Sequence, residues 1–206
     1  MIDPEKLRSQ ELSSSPILEE VNFLPWEVLD RKIILDAQPW LKVWLEKVRL
    51  PDGHMIPDYY KLSLPNASVV VPVTDEGEVF ILRQYKHGLG ATVWGLPGGF
   101  CSGEETSLEC AKRELLEEIG CEAEEWIDLG GYAHDASRGE GCLHVFLAKK
   151  AFKVSQPNNS DFEEYQIQRA PMADVLQLVR NKQMNVMGFV GAFLLAHLYL
   201  QYNGLR

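Results

Sequence analysis

The chain has 206 residues, a formal net charge of −10 and 46% hydrophobic residues, which is typical of an ordinary globular protein. Such an acidic chain is not expected to be a general binder of nucleic acid or of anionic membranes. The polar N-terminus MIDPEKLRSQELSSSP lacks the apolar core of an export signal, and the most apolar stretch, residues 186–200, is short for a membrane span. We therefore expect a cytoplasmic protein that contacts neither nucleic acid nor membrane.

The N-terminal third of the sequence predicts a small antiparallel β unit. Residues 1–20 are polar and turn-rich, so we expect no regular structure there. Residues 26–36, 40–50 and 58–64 are strand-like, and Pro51-Asp52-Gly53 forms a hairpin turn before the third of them. We accordingly divide the chain into an N-terminal arm with antiparallel strands, residues 1–64, and a second domain, residues 65–206.

The second domain begins with strands and ends with helices. Strands are predicted over residues 69–73, 78–85, 126–134, 143–148 and 164–168, whereas residues 87–92 are predicted to be a loop that leads to a Gly98-Gly99 turn. Helices are predicted from Ser102 or Glu104 to Gly120, over residues 172–181 and over residues 187–202. This order predicts an α/β fold with a mixed sheet and helices on both of its faces.

The helix that ends at Gly120 carries a dense block of carboxylates. At about 100° per residue, Glu114, Glu117 and Glu118 fall on one side of it. An apolar stripe for core packing lies on another side and consists of Leu108, Ala111, Leu115 and Ile119. Clustered carboxylates repel one another unless a positive charge lies among them, and oxygen ligands at this density suit Mg²⁺ or Mn²⁺.

The same segment resembles the signature box of the Nudix hydrolases. The matching residues are Gly99, then Glu105 after five residues, and then, after seven more, the run Arg113-Glu114-Leu115-Leu116-Glu117-Glu118-Ile119-Gly120-Cys121. Only the last position departs from the box, because Cys121 stands where an aliphatic residue is usual. The resemblance implies a Nudix-type α-β-α sandwich, preceded here by the small antiparallel unit, and an enzyme that hydrolyses a diphosphate bond.

The resemblance also implies roles for the box residues. Glu114 and Glu118 would bind the metal, Glu117 would share the metal cluster and act in catalysis, and the carbonyl of Gly98 would complete the ligand set. Arg113 would assist by fixing the rotamer of a glutamate. The chemistry is consistent with these roles, since divalent ions neutralise a diphosphate and a carboxylate can accept the proton of the attacking water.

Segments upstream of the box resemble the ADP-ribose pyrophosphatase branch of the Nudix family. They are Trp40-Leu-Lys-Val, Val48-Arg-Leu-Pro-Asp-Gly53, Tyr59-Tyr60 and Arg83-Gln84-Tyr85-Lys86. In that branch the N-terminal strands help to form a homodimer. The resemblance implies that Trp26 and Tyr60 (or Tyr59) stack on a nucleobase and that Lys86 meets the phosphates, although core packing is the alternative for both aromatic residues.

Three departures from the branch leave the substrate open. Ala136 stands near a usual proline, Gly95 stands where glutamate is common, and Lys86 replaces an arginine, which removes bidentate phosphate recognition. None of them lies in the metal-binding box.

The resemblance to the same branch implies that the general base comes from an acidic loop well after the box. Its position in residues 159–164 (NSDFEE) makes Asp161 the candidate base and Glu163 an additional metal ligand. Both could instead be solvated loop acids, and Glu140 in the preceding polar loop is the reserve candidate.

Three functional hypotheses follow. The first is a Mg²⁺- or Mn²⁺-dependent hydrolase that cleaves ADP-ribose to AMP and ribose 5-phosphate. The second is the same chemistry on NADH, on a nucleotide sugar such as GDP-mannose, or on a dinucleoside polyphosphate. The third, of a different class, is a non-catalytic Nudix-like metabolite-binding domain, which would typically have lost box carboxylates that are all present here.

Overall fold

The computed structural model describes residues 23–158 and 165–203. The described chain divides into two compact units, one made of residues 23–65 and 133–142 and the other of residues 66–132 and 143–203. The expectations for residues 1–20, Asp161 and Glu163 lie outside the described residues. The functional division at residue 64 stays a prediction.

Eleven strands and three α-helices are described. The strands are β1 (Glu27–Ala37), β2 (Leu41–Arg49), β3 (Met55–Ser63), β4 (Ala67–Val73), β5 (Glu78–Lys86), β6 (Ala91–Gly95), β7 (Gly98–Phe100), β8 (Cys121–Ala133), β9 (Gly139–Glu140), β10 (Cys142–Lys153) and β11 (Tyr165–Pro171). The helices are α1 (Ser107–Ile119), α2 (Met172–Arg180) and α3 (Met187–Asn203), with a 3₁₀ turn at His87–Leu89. In the described part of the chain, no helix has both the length and the apolar character that crossing a membrane requires.

The first unit contains a four-stranded sheet in the order β1-β2-β3-β9. The pairs β1–β2 and β2–β3 are antiparallel, as the sequence predicts. The short strand β9 adds to β3 in parallel, with Ser63 opposite Glu140. Every residue of the edge strand β1 is exposed.

The second unit is an α-β-α sandwich built on a mixed sheet in the order β11-β5-β4-β10-β8. The central strand β4 runs parallel to β10 and antiparallel to β5 and β7. Side chains alternate across it, so Val69, Val71 and Val73 pack with α2 and α3, whereas Val70 packs with α1. This arrangement confirms the predicted fold class.

The apolar stripe of α1 lies against one face of this sheet. Ala111, Leu115 and Ile119 are fully buried, and Leu108 is partly buried beside them. On the opposite face, Phe193 of α3 is fully buried. Because α1 is fixed along its length by this packing, its carboxylates have a defined position on the sandwich.

Several predicted boundaries were wrong. The helix of the box begins at Ser107 rather than at Ser102 or Glu104, and residues 91 and 92, predicted as part of a loop, belong to strand β6. The Gly98-Gly99 turn is extended strand, because Gly98 and Gly99 pair with Val69 and Ser68 of β4. Strand pairing decides these short glycine-rich segments, which have little intrinsic preference for a strand.

Candidate active site

A capping box sets the start of α1. Thr106 Oγ1 accepts a hydrogen bond from the backbone N–H of Glu109 at 3.2 Å, and the Glu109 carboxylate accepts from the N–H of Thr106 at 2.8 Å. Glu105 is therefore outside the helix, where its carboxylate accepts from the N–H of Ser102 at 3.0 Å and turns back toward Arg113.

Arg113 lies among the carboxylates of the box. Its Nε and Nη2 donate to the two oxygens of Glu105 at 2.9 and 3.1 Å. Its Nη1 donates to Glu114 Oε1 at 2.7 Å and to Glu117 Oε2 at 3.0 Å, and Nη2 also donates to the carbonyl of Phe100 at 3.1 Å. The hydrogen bonds that Arg113 donates to Glu105 and then to Glu114 raise the pKa of Arg113, so the guanidinium is permanently charged. It holds three carboxylates in fixed rotamers.

The fourth carboxylate of the cluster, that of Glu118, is oriented by the main chain. Glu118 Oε2 accepts a hydrogen bond from the N–H of Gly98 at 2.8 Å. Glu114 and Glu118 are only 8% and 7% exposed, whereas the side chain of Glu117 is 37% exposed. The helix thus presents two buried carboxylates and a more accessible third one.

Two glycines allow the β7 backbone to lie close to this helix. A Cβ on Gly99 would be 2.4 Å from Glu114 Oε1, so any side chain would occupy the space of that carboxylate. A Cβ on Gly98 would be 2.3 Å from the carbonyl oxygen of Ser68 in the sheet. Gly98 therefore requires glycine because the clash is with backbone, whereas a side chain at Gly99 would displace the Glu114 carboxylate.

The chain that follows β10 closes the C-terminal end of α1. Gly120 is left-handed, with φ 64°, and its carbonyl accepts from the N–H groups of Val154 and Ser155 at 2.9 and 3.1 Å. The N–H of Asn158 donates to the carbonyl of Glu117 at 2.9 Å. The last described residue before the acidic segment is therefore fixed to the turn of the helix that carries the carboxylates.

The donor chemistry of the cluster suits a hard divalent cation. Three carboxylates share the guanidinium of Arg113 and the carboxylate of Glu118 adds a fourth negative charge, so the cluster carries an excess of negative charge beside the backbone of Gly98 and Gly99. Among the described residues, no three His, Cys, Asp or Glu side chains already stand as a preformed metal cluster. Two of the predicted metal ligands, Glu114 and Glu117, point instead toward Arg113, the positive charge that reduces their mutual repulsion.

The other predicted site residues lie in different places. Lys86 ends β5 in the second unit, whereas Trp26 and Tyr60 belong to the first unit. Trp26 meets Tyr59 edge-to-face, with ring centroids 5.8 Å apart, while Tyr60 is 52% exposed and does not line the cavity formed by that pair. Glu140 is described through its backbone pairing in β9.

The sequence pattern did not predict a charged pair in this cavity. The cavity has a volume of about 240 Å³, is open to solvent, and is lined by residues that include Trp26, Arg31, Glu46 and Tyr59. Arg31 Nε lies 2.7 Å from Glu46 Oε1, and Glu46 is only 3% exposed. The contact is an ion pair without hydrogen-bond alignment, so among the described residues Glu46 Oε1 accepts no hydrogen bond. The burial of Glu46 could have been predicted from the alternation of side chains along β2, because it places Glu46 on the same face as the buried Val48.

The Glu105–Arg113 pair is expected to make stability depend on pH. Its hydrogen bonds with Arg113 hold the pKa of Glu105 below its ordinary value of 4.5. Its stabilisation, about 1–3 kcal/mol for a hydrogen-bonded charged group, is therefore fully present above pH 4.5 and is lost as the pH falls through the lower folded-state pKa. In urea titrations, Glu105→Gln should be less stable than wild type at pH 7, and the difference should shrink as the pH falls through the lowered pKa of Glu105. The exposed neighbour Glu104→Gln is the control, and a difference for Glu105→Gln that stays constant with pH would contradict this assignment.

Comparison with known proteins agrees with the box geometry. A family model described as the NUDIX domain matches residues 64–187, and a model described as the nucleoside diphosphate sugar hydrolase N-terminal domain matches residues 26–62. An ADP-ribose pyrophosphatase of Bacillus subtilis (strain 168) is 26% identical over 168 residues, which cover 81% of this chain and 86% of that protein. The ADP compounds hydrolase NudE of Escherichia coli (strain K12) is 25% identical over 163 residues, 78% of this chain and 87% of that protein.

A solved structure shows the same fold. The crystal structure of an ADP compounds hydrolase superposes with a TM-score of 0.78 at 20% identity, over 90% of this chain and 100% of that chain. The NUDIX model covers more than half of the sequence and includes the whole box. The chain therefore belongs to the Nudix family and is a Nudix pyrophosphohydrolase.

Proposed function

We propose that this enzyme uses a divalent cation, Mg²⁺ or Mn²⁺, to hydrolyse the diphosphate bond of a nucleoside diphosphate derivative. The leading candidate substrate is ADP-ribose, and its products would be AMP and ribose 5-phosphate. The observation that carries the proposal is the carboxylate cluster of α1, ordered around Arg113 and placed against the β7 backbone. A solvated acidic helix would not need an arginine that fixes three carboxylates. It would also not need glycines that bring the β7 backbone close to Glu114 and Glu118.

The residues of the cluster divide the work between binding and positioning. Glu114, Glu118 and the carbonyl of Gly98 would hold the cation, with Glu117 as the more accessible ligand. The cation would neutralise the diphosphate and acidify a water molecule. Arg113 holds Glu114 and Glu117 by hydrogen bonds and offsets the repulsion between their charges. The protein thus contributes positioning and charge rather than a covalent nucleophile.

For the general base, the proposal retains Asp161, with Glu163 as a further ligand and Glu140 in reserve. Asn158, three residues before Asp161 in the sequence, is bonded to the carbonyl of Glu117. The chain resumes at Tyr165, which pairs with Gln84 of β5. We expect the proton acceptor from this acidic segment because the residue that precedes it is bonded to the helix that carries the carboxylates.

We assign the cavity of the first unit to the nucleobase. Its Trp26–Tyr59 pair provides an aromatic wall, and Glu46 Oε1 is a buried acceptor without a hydrogen bond from the described residues. Arg31 Nε already lies 2.7 Å from that oxygen, so the aromatic pair is the part of the cavity that would contact the base. Lys86, in the second unit, is proposed to meet the phosphates.

Trp26→Ala is expected to raise KM for the nucleotide about 5- to 100-fold with little change in kcat, because stacking on an aromatic ring contributes roughly 1–3 kcal/mol to binding. Trp40→Ala, which removes an exposed tryptophan at the turn before β2, is the matched control and should leave KM unchanged. Steady-state kinetics over a range of substrate concentrations separate the two constants. Equal effects of both substitutions would contradict the assignment of the cavity.

The test of the function is a substrate panel. Purified protein with Mg²⁺ or Mn²⁺ is incubated with ADP-ribose, NADH, GDP-mannose and a dinucleoside polyphosphate, and the products are separated by chromatography. ADP-ribose should give AMP and ribose 5-phosphate, and excess chelator should stop the reaction. Cleavage of another member of the panel but not of ADP-ribose would revise the substrate, whereas cleavage of none would remove the proposal.

A nucleotide sugar is the second candidate substrate. The match of residues 26–62 to the nucleoside diphosphate sugar hydrolase N-terminal domain favours it specifically. Because ADP-ribose and a nucleotide sugar share the diphosphate, the carboxylate cluster does not discriminate between them. A non-catalytic binding role is disfavoured because the box retains Glu114, Glu117 and Glu118 in an ordered arrangement.

We also propose that the enzyme is a homodimer in the cytoplasm and that β1 forms part of the dimer contact. Strand β1 is an edge strand whose exposed side chains include Val28, Leu29, Ile33, Ile34 and Leu35. Its charged residues, three acids and two bases, allow an antiparallel copy of the same strand to lie against it. Sedimentation equilibrium should give twice the chain mass, and Ile34→Arg should lower it. A single chain mass for wild type at all concentrations would contradict this.

A further inference from the structure

A loop from later in the chain lines part of the cavity in the first unit. The cavity loop, residues 134–138, connects β8 to β9, and its last three residues line the cavity together with Trp26 and Tyr59. The rings of Trp26 and Tyr59 meet edge-to-face, with their centroids 5.8 Å apart. The cavity therefore has an aromatic wall and a loop wall, and its width depends on what holds the loop in place.

Asp135 gives the cavity loop its shape. Its Oδ1 accepts hydrogen bonds from the N–H groups of Ser137 and Arg138 at 2.8 and 3.1 Å. Its carbonyl oxygen accepts from the N–H of Gly139 at 2.9 Å. An aspartate that bonds to the backbone two and three residues further on closes a turn of this kind. The loop is therefore a compact turn rather than an extended linker.

Two hydrogen bonds attach the cavity loop to β3. The hydroxyl of Tyr59 donates to the carbonyl oxygen of Ser137. The N–H of Leu62 donates to the carbonyl oxygen of Arg138 at 2.6 Å, just before Gly139 pairs with Leu62 where β9 adds to β3. The bond from Leu62 needs only a backbone N–H, whereas the bond to Ser137 needs a hydroxyl at the end of an aromatic ring. The identity of the side chain therefore matters at position 59.

We infer that Tyr59 is a positioning residue for nucleotide binding, whose ring forms part of the aromatic wall and whose hydroxyl holds the loop wall in place beside it. The inference rests on the proposed function, which assigns the cavity to the nucleobase. A base that occupies the cavity contacts both walls, so their spacing sets how well it fits. Without the hydroxyl bond, the loop has to be ordered when the nucleotide binds, and that ordering lowers affinity. Tyr59 thus acts on the binding of the base and not on the reaction at the diphosphate.

Tyr59→Phe keeps the ring and removes the hydroxyl. We expect it to weaken the binding of AMP and to raise KM for the nucleotide substrate about 2- to 10-fold, the range that one neutral hydrogen bond contributes, with kcat unchanged. A loss of folded protein would instead lower the apparent kcat and leave KM as it is. Calorimetry with AMP and steady-state kinetics measure these quantities. Tyr132→Phe is the matched control, because the Tyr132 hydroxyl also donates to a backbone carbonyl, that of Leu129 at 2.8 Å, but in the second unit.

Hydrogen exchange of the full-length protein tests the attachment of the loop without any nucleotide. In Tyr59→Phe, the N–H groups of Ser137, Arg138 and Gly139 should exchange faster than in wild type, because the loop opens more often once the hydroxyl bond is lost. In Tyr132→Phe, the same groups should exchange at the wild-type rate. Urea titration establishes that both variants are folded.

Asp135→Ala disturbs the same loop from its other side. It removes the acceptor of two loop N–H groups, so it should also speed their exchange and weaken AMP binding. Because Asp135 and Tyr59 act through one loop, the double variant should lose less affinity than the product of the two single losses. Asp52→Ala is the matched control and should bind AMP as wild type does, since Asp52 Oδ1 accepts from the N–H of His54 at 2.9 Å in the turn between β2 and β3, away from the cavity lining.

The outcomes separate this inference from the proposed function. Unchanged exchange in Tyr59→Phe would overturn the attachment, and faster exchange with wild-type AMP affinity and KM would overturn its role in binding. Independent effects of Tyr59→Phe and Asp135→Ala on AMP affinity would show that they do not act through one loop, which also overturns the inference. If wild type bound no AMP, or if Trp26→Ala left AMP affinity unchanged, the nucleobase assignment in the proposed function would fail. The exchange rates would still decide whether Tyr59 holds the loop.

Discussion

Glu117→Gln is expected to lower kcat/KM by about 10²- to 10⁴-fold, the range lost when a catalytic carboxylate is removed. The substitution keeps the size of the side chain but removes a negative charge from the most accessible carboxylate of the box. Arg113 would keep its bonds with Glu105 and Glu114, so the helix should hold its position. The change in unfolding free energy should stay below about 1 kcal/mol, because the lost ion pair is partly exposed.

The matched control is Glu122→Gln, which removes one negative charge from an exposed position at the start of β8. Steady-state hydrolysis measures the catalytic effect, titration calorimetry with Mg²⁺ or Mn²⁺ measures cation binding, and urea titration measures the fold. If Glu117→Gln retained activity within threefold of Glu122→Gln, the carboxylates of α1 would not be the catalytic ones. An equal fall in kcat/KM in both variants would mean that the loss of one negative charge from the protein, rather than the position of Glu117, lowers the activity.

The body of the catalytic helix was predictable because two periodic patterns coincide there. The apolar stripe and the carboxylate spacing both repeat with the period of a helix, and Gly120 ends it in the left-handed conformation that glycine favours. The predicted start of the helix was wrong because it included Glu105. Glu105 precedes the helix, and its carboxylate accepts hydrogen bonds from Ser102 and Arg113. The readable signal was Thr106 with Glu109, which is a capping box in the sequence itself.

The features that could not be predicted from the sequence depend on contacts between segments that are distant in the chain. Strand β7 exists because Gly98 and Gly99 pair with β4, and β9 exists because Ser63 pairs with Glu140. Local preference contains no information about either partner. The buried Glu46 was missed for a related reason, since a charged residue in a strand is normally expected at the surface. Its burial becomes intelligible only when Arg31 of the neighbouring strand is placed beside it.

Gly99→Ala is expected to reduce activity about 10- to 100-fold, the loss typical when a group that orients a metal ligand is removed, while the protein remains folded. The new methyl group would stand 2.4 Å from Glu114 Oε1 and 2.7 Å from its Cδ. Because both atoms belong to the end of a flexible side chain, the carboxylate should move and the backbone should stay. Gly98→Ala differs, since its methyl group would meet the backbone oxygen of Ser68 at 2.3 Å and should destabilise the sheet.

Gly191→Ala is the matched control, because a Cβ at this position of α3 meets no atom within 4 Å. Alanine in a helix should leave activity unchanged and raise stability slightly. The decisive comparison is cation affinity by calorimetry beside unfolding free energy by urea titration. Gly99→Ala should weaken cation binding with little loss of stability, since Glu114 loses its place between Gly99 and Arg113. Wild-type affinity and activity in Gly99→Ala would mean that the position of Glu114 is not what the cluster uses to bind the cation.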